Sequence, residues 1–204
     1  SAIALPMLLV GPAKSFEFPE ELPVPGEVSA NVTLASSYIW RGEVQNGNNP
    51  AIQGGFDWGV TLLDTYVDAY AGIWGSNVSG GTNSLSGNEL DYYAGISGAI
   101  PGLEDFLSYD GGVLYYDYPG MTDQNTADGA RNADFVEYYG SIGATVPAGI
   151  TDVGISYYYG YSPAGFQQGN YDYQNIGIEF GVPSTPFTLS GSAGFTGADD
   201  EGGN

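Results

Sequence analysis

The chain has 204 residues, including 33 Gly, 17 Tyr, no Cys and no His, and its three Lys and Arg face 24 Asp and Glu for a formal net charge of −21. That balance excludes a nucleic-acid partner, which needs a basic surface, and a polybasic grip on anionic lipid. Without Cys and His there are no disulfides, no thiolate chemistry, no imidazole ligands for haem or most zinc sites, and no histidine general base.

Ser1–Val10 is apolar, and Gly11-Pro12-Ala13 follows with the small residues a signal peptidase wants, so cleavage after Ala13 is one expectation. No basic residue precedes the run, and a retained segment would have to be buried in the protein, in lipid or in a partner. Pro19, Pro23 and Pro25 then forbid a continuous helix or strand, so residues 1–26 read as an apolar segment plus a Pro-rich linker. Residues 27–204 read as one β-domain. No apolar run reaches the ~18 residues of a membrane-crossing helix.

About nine strands follow, picked out by period-two alternation between turn clusters. The first is Glu27–Val44, with Val28, Ala30, Val32 and Leu34 on one face and Ser29, Asn31 and Thr33 on the other. The next are Ala51–Leu63, Tyr66–Asn77, Glu89–Ile100 and Leu107–Tyr118. The last are Phe135–Val146, Thr151–Tyr161, Asn175–Val182 and Phe187–Phe195. Tight connections at Asp64-Thr65, Pro147–Gly149 and Pro183–Pro186 alternate with long polar loops at Ser79–Gly87 and Pro119–Ala133. One apolar face, one polar face and short turns alternating with long loops form the pattern of an outer-membrane barrel, apolar outward and polar inward. The fold class expected is therefore all-β, an antiparallel up-and-down transmembrane β-barrel. A soluble β-sandwich shows the same alternation, but the strands here run longer than the usual five or six residues.

Several short blocks add specificity: Tyr38-Ile-Trp-Arg-Gly42, Asn49-Pro-Ala-Ile-Gln-Gly-Gly-Phe-Asp57, Gly72-Ile-Trp-Gly75, Glu89-Leu-Asp-Tyr-Tyr93 and Tyr157-Tyr-Tyr-Gly-Tyr161. In this order and spacing the chain resembles the TorF-type porin family of Gram-negative outer-membrane proteins. The resemblance covers about Glu27 to Phe195 and implies a β-barrel and, by family naming, a pore. It also implies about three further strands and a terminal aromatic residue used in barrel assembly, where this chain has the polar run Ala198–Asn204.

Following the alternation inward places Arg41, Glu43, Gln53, Asp57, Asp68, Glu89, Asp91, Glu137 and Glu179 on the polar face. Carboxylates around a lumen attract cations and repel anions. Arg41 among them reads as a bidentate ion-pair hub that braces a narrow barrel. Trp40, Trp58, Trp74, Tyr116, Tyr118 and Tyr158 read as interfacial girdles. Nothing selects a carboxylate pair for glycoside hydrolysis, and the Asp-rich stretches 123–134 and 199–201 lack calcium-loop spacing. No metal or cofactor is expected and no turnover chemistry. The expected role is passive passage of small cationic or neutral solutes across the outer membrane, with membrane lipid and the solute as partners. A different class of role is assembly by strand addition into a homo-oligomer or larger complex. A third, an acidic soluble binding protein, would leave the membrane without detergent.

Overall fold

A computed structural model describes residues 25–79, 86–119, 134–163 and 170–198. The apolar segment Ser1–Val10, most of the linker and the acidic stretches 123–133 and 199–201 lie outside the described residues. No helix occurs among the described residues. The strands are β1 (Glu27–Ala35), β2 (Ile39–Trp40), β3 (Glu43–Val44), β4 (Ala51–Leu63), β5 (Val67–Ser79) and β6 (Ser86–Ala99), then β7 (Leu107–Asp117), β8 (Phe135–Pro147), β9 (Asp152–Ser162), β10 (Tyr171–Gly181) and β11 (Thr188–Ala198).

Nine of them form one antiparallel sheet in the order β1-β4-β5-β6-β7-β8-β9-β10-β11, and β2 pairs with β3 separately. Sequence-adjacent strands pair throughout the large sheet, which is the up-and-down connectivity expected. Among the described residues no pairing joins β1 to β11, so the sheet is not closed into a barrel. The chain divides into two compact units, one drawn from residues 1–60, 70–94 and 114–135 and the other from 61–69, 95–113 and 136–204.

The turns are built where the sequence carries turn residues. Asp64 sits at φ 46° and Tyr66 N–H closes the turn on Leu63 O at 2.9 Å. At the β10–β11 connection Ser184 takes φ 62°, Thr185 N–H bonds Val182 O, and Val182 N–H bonds Phe187 O.

Register shows how the alternation is used. Across β8 and β9, Ile142 faces Tyr157 and Gly140 faces Tyr159, while one residue along Ser141 faces Tyr158 and Gly143 faces Ser156. Across β10 and β11 the same rule sets Ile178 and Phe180 beside Gly191 and Leu189, with Glu179 beside Ser190 between them. Each strand therefore has an apolar face and a polar face. The apolar face is the exposed one: Leu34 is 71 % exposed and Ile142 51 %, and Val32, Ile52, Phe56, Ile155, Ile176 and Phe195 are exposed as well. The buried residues include polar ones on the opposite face: Thr33, Gln53, Ser76, Glu89, Asp91, Ser97, Glu137 and Ser162. This is the reverse of a soluble sheet, which buries its apolar face.

One expected element is rebuilt. The strand Glu27–Val44 ends at Ala35, and the chain makes a separate two-stranded hairpin before β4. Arg41 (φ 50°) and Gly42 (φ 88°) form its two-residue turn. Positive φ at both central positions matches the twist of paired strands, which is why such tight hairpins use this geometry. The break resets the alternation, so Arg41 and Glu43 do not lie on the polar face of the large sheet. Arg41 occupies the hairpin turn, with its guanidinium 4.4 Å from the Trp40 ring centroid, and Glu43 is exposed on β3.

Candidate functional site

The best-built polar cluster lies in the first unit, where the β2–β3 hairpin meets the polar face of the sheet. Tyr38, between β1 and β2, is buried and donates its hydroxyl to Glu89 Oε1 on β6 at 2.6 Å. Its ring meets Trp74 of β5 edge-on, with centroids 5.4 Å apart. Trp40 of β2 packs edge-on against Tyr116 of β7 at 5.8 Å, and Tyr116 stacks on Phe135 of β8 at 4.3 Å. The connection from β1 to β4 thus crosses β5 and β6 and reaches β7.

Asn46 holds the base of this connection. It is fully buried, and its Oδ1 accepts Tyr38 N–H at 3.0 Å and the Ser37 hydroxyl at 3.1 Å. Its Nδ2 donates to Asn49 O, and Asn49 Nδ2 donates back to Asn46 O at 2.9 Å. Gln45 N–H closes the loop on Tyr38 O at 2.9 Å. An amide side chain suits this place because it presents an acceptor and two donors at once.

Glu89 is only 2 % exposed and also accepts a hydrogen bond from Tyr118, just beyond β7. Burial first, and then the carboxylates of Glu89 and Asp91, push the Tyr38 and Tyr118 phenols well above the ordinary tyrosine range. Both therefore remain proton donors at any physiological pH. The Tyr118 N–H is fixed in turn by Asp134 Oδ1 at 2.9 Å.

The second unit carries a smaller cluster of the same chemistry. Glu137 on β8 is fully buried and accepts the Tyr158 hydroxyl at 2.5 Å. Tyr139 stacks on Tyr158 at 5.8 Å, and Tyr158 leans on Tyr173 at 6.2 Å. Asn175 Nδ2 donates to the Tyr173 hydroxyl at 3.1 Å. Outside the clusters, Tyr93 donates to Asp57, Thr61 donates to Asp68 Oδ1 at 2.7 Å, and Gln53 lies 3.5 Å from Ser76 Oγ. Glu179 shares the polar side of β10 with Asn175 but is exposed.

Of the residues singled out in the sequence, the structure brings together Glu89 and Asp91 at one cluster and places Glu137 at the other. Gln53, Asp57 and Asp68 lie on the polar face beside other partners, while Arg41 and Glu43 belong to the hairpin. The girdle assignment needs correction. Trp74, Tyr116, Tyr118 and Tyr158 take part in polar-face clusters, and Trp40 packs there from the hairpin. Only Trp58, opposite Val28, shares the apolar face. The reason is parity: Asp68, Tyr70 and Trp74 are separated by even steps, so a strand that turns Asp68 inward turns Trp74 inward too. The exposed aromatics of the apolar face include instead Phe56, Tyr92, Tyr115, Tyr138, Tyr157, Tyr159, Phe180 and Phe195. Tyr38 and Asn46 were not among the candidate residues; Gln45–Pro50 reads as a turn from the sequence, but Arg41-Gly42 was the available sign of a turn inside the expected first strand.

No group of three or more Asp or Glu side chains that could hold a metal ion occurs among the described residues. The arrangement positions carboxylates with phenol donors on the polar face of an antiparallel sheet whose apolar face is exposed. The chain belongs to the family described as "Bacterial protein of unknown function (Gcw_chp)", whose profile matches residues 20–203. That description makes no link to TorF-type porins. No curated protein matches the chain, and no solved structure matches it.

Proposed function

We propose that the chain is an outer-membrane β-barrel protein of porin type that passes small cationic or neutral solutes without chemical turnover. One observation carries the reading: the strands expose their large aliphatic and aromatic side chains while carboxylates on the opposite face are buried. Water penalises such a surface, and contiguous apolar patches of this kind mark contact with lipid or protein. Hydrocarbon rewards it, because lipid-facing residues of a barrel are apolar and lumen-facing ones polar. The TorF-type resemblance supports the same reading. Glu89, Asp91, Glu137, Asp57 and Asp68 would set a preference for cations.

The test is single-channel recording of detergent-extracted protein in a planar bilayer under a salt gradient. Discrete steps with a cation-selective reversal potential are expected. Silence from folded, membrane-embedded protein would refute the porin assignment.

A second reading rests on the sheet order. β1 and β11 are each bonded to one neighbour only among the described residues, and an open sheet edge in lipid leaves backbone groups unpaired. Strand addition by another segment or copy would satisfy them. Mass measurement of the detergent-solubilised protein separates a monomer from an assembly.

A further inference from the structure

We infer that the β2–β3 hairpin is a gate over the polar face of the first unit, latched by the hydrogen bond from Tyr38 to Glu89. The inference rests on the channel reading and names the residues that would limit passage.

Four observations converge on it. The hairpin leaves the sheet and spans three neighbouring strands through Tyr38–Trp74, Tyr38–Glu89 and Trp40–Tyr116. It is joined to the rest of the chain by turns on both sides, and its own pairing is two residues deep, Ile39 with Val44 and Trp40 with Glu43. So short a ribbon has little stability of its own and depends on what it packs against. Its grip on the sheet includes one buried phenol–carboxylate bond and two edge-on aromatic contacts. Its root is held by bonds local to residues 37–49, from Tyr38 N–H and the Ser37 hydroxyl to Asn46, from Asn46 to Asn49 O and from Gln45 N–H to Tyr38 O, and so small a set opens once the packing above it is lost.

The position matters for passage. Glu89 and Asp91 are carboxylates that would attract cations, and the chain beside the hairpin reaches them: Tyr38 donates to the buried Glu89, which Tyr118 bonds from the far side of β7. With the latch made, the acids are covered. With it broken, they face the solute path. Tyr38 and Glu89 are therefore the specificity-determining pair.

The experiment compares wild type with Tyr38→Phe and Glu89→Gln, both close in shape to the originals. Two quantities are read on each detergent-folded protein: single-channel conductance, and hydrogen exchange at the amides of Tyr38 and Gln45, set against strand amides. The expected result is exchange about tenfold faster in the hairpin of the variants, the change that losing one buried hydrogen bond produces. Strand amides stay unchanged and conductance rises, most in Tyr38→Phe, which keeps the Glu89 charge. Unchanged hairpin exchange would overturn the latch. Faster exchange with conductance equal to that of a conducting wild type would overturn the gate and leave the channel reading standing. A freed hairpin in proteins that never conduct would sink the channel reading, and the gating role with it.

Discussion

Glu137 leaves no room for a side chain at Gly160: a Cβ built there would lie 2.6 Å from the carboxylate carbon. Gly160→Val should therefore destabilise the protein by about 1–3 kcal/mol, since the buried carboxylate and its Tyr158 partner must move. Gly191 on β11 has nothing within 4 Å of a built Cβ, and Gly191→Val should stay within about 0.5 kcal/mol. Denaturant midpoints at constant slope measure both; equal shifts would mean that Glu137 is not packed as described. A pH effect belongs to the same scale. Glu104, in the β6–β7 turn, accepts Gly102 N–H at 2.8 Å and the Tyr66 hydroxyl at 2.8 Å. The backbone N–H of Gly102 foremost, then its own N–H and Tyr66, hold its carboxyl below the usual glutamate range. A depressed carboxyl contributes stability above the ordinary value and loses it as pH falls through the depressed one. Wild type should thus lose more stability between pH 6 and about pH 3 than Glu104→Gln does; parallel acid titrations would refute the bonding. The candidate carboxylates Glu89, Asp91 and Glu137 were legible at this scale because alternation alone assigns their face. Tyr38 and Asn46 were not, because their burial comes from a loop folding back on strands far along the chain.

Single strands decide whether the apolar face meets lipid. Ile142 and Thr145 sit on opposite faces of β8, with Ile142 beside Tyr157 and Thr145 beside Gly154. If the apolar face lies in hydrocarbon, Ile142→Arg should cost about 2–4 kcal/mol, the penalty for arginine at the midplane of a membrane barrel. Thr145→Arg should cost far less. Folding titrations into lipid vesicles measure the difference, and a neutral Ile142→Arg would place that face in water. Strand positions were the most readable part of the fold: β4, β7, β8, β9 and β11 fall within a few residues of where alternation and turn clusters set them. The misplaced element was the first, where Val28 to Leu34 alternates cleanly and nothing apolar marks its end. Ser36-Ser37 breaks the strand there, and the later Tyr38-Ile-Trp40 run looks like a continuation although it belongs to a separate hairpin.

For the whole molecule the dominant quantity is charge. If the protein conducts as proposed, its net charge of −21 should give a cation selectivity that depends on ionic strength, because screening shortens from about 10 Å at 0.1 M to 3 Å at 1 M salt. Cation preference read from reversal potentials should fall as salt rises; selectivity independent of salt would mean that fixed carboxylates do not set it. By itself the sequence determined the all-β class, the up-and-down order and the division of each strand into a polar and an apolar face. These follow from period-two patterning and turn chemistry, which are local properties of the chain. Which aromatics share a face with the acids was also implicit in parity, once the strand limits were known. The sequence also carried the expectation of an outward apolar face; only the tertiary structure decided that β1 and β11 are not paired with each other among the described residues and that Tyr38 bonds Glu89. Those features depend on contacts between residues as far apart as 51 positions, and alternation within a strand carries no information about what a distant loop will cover.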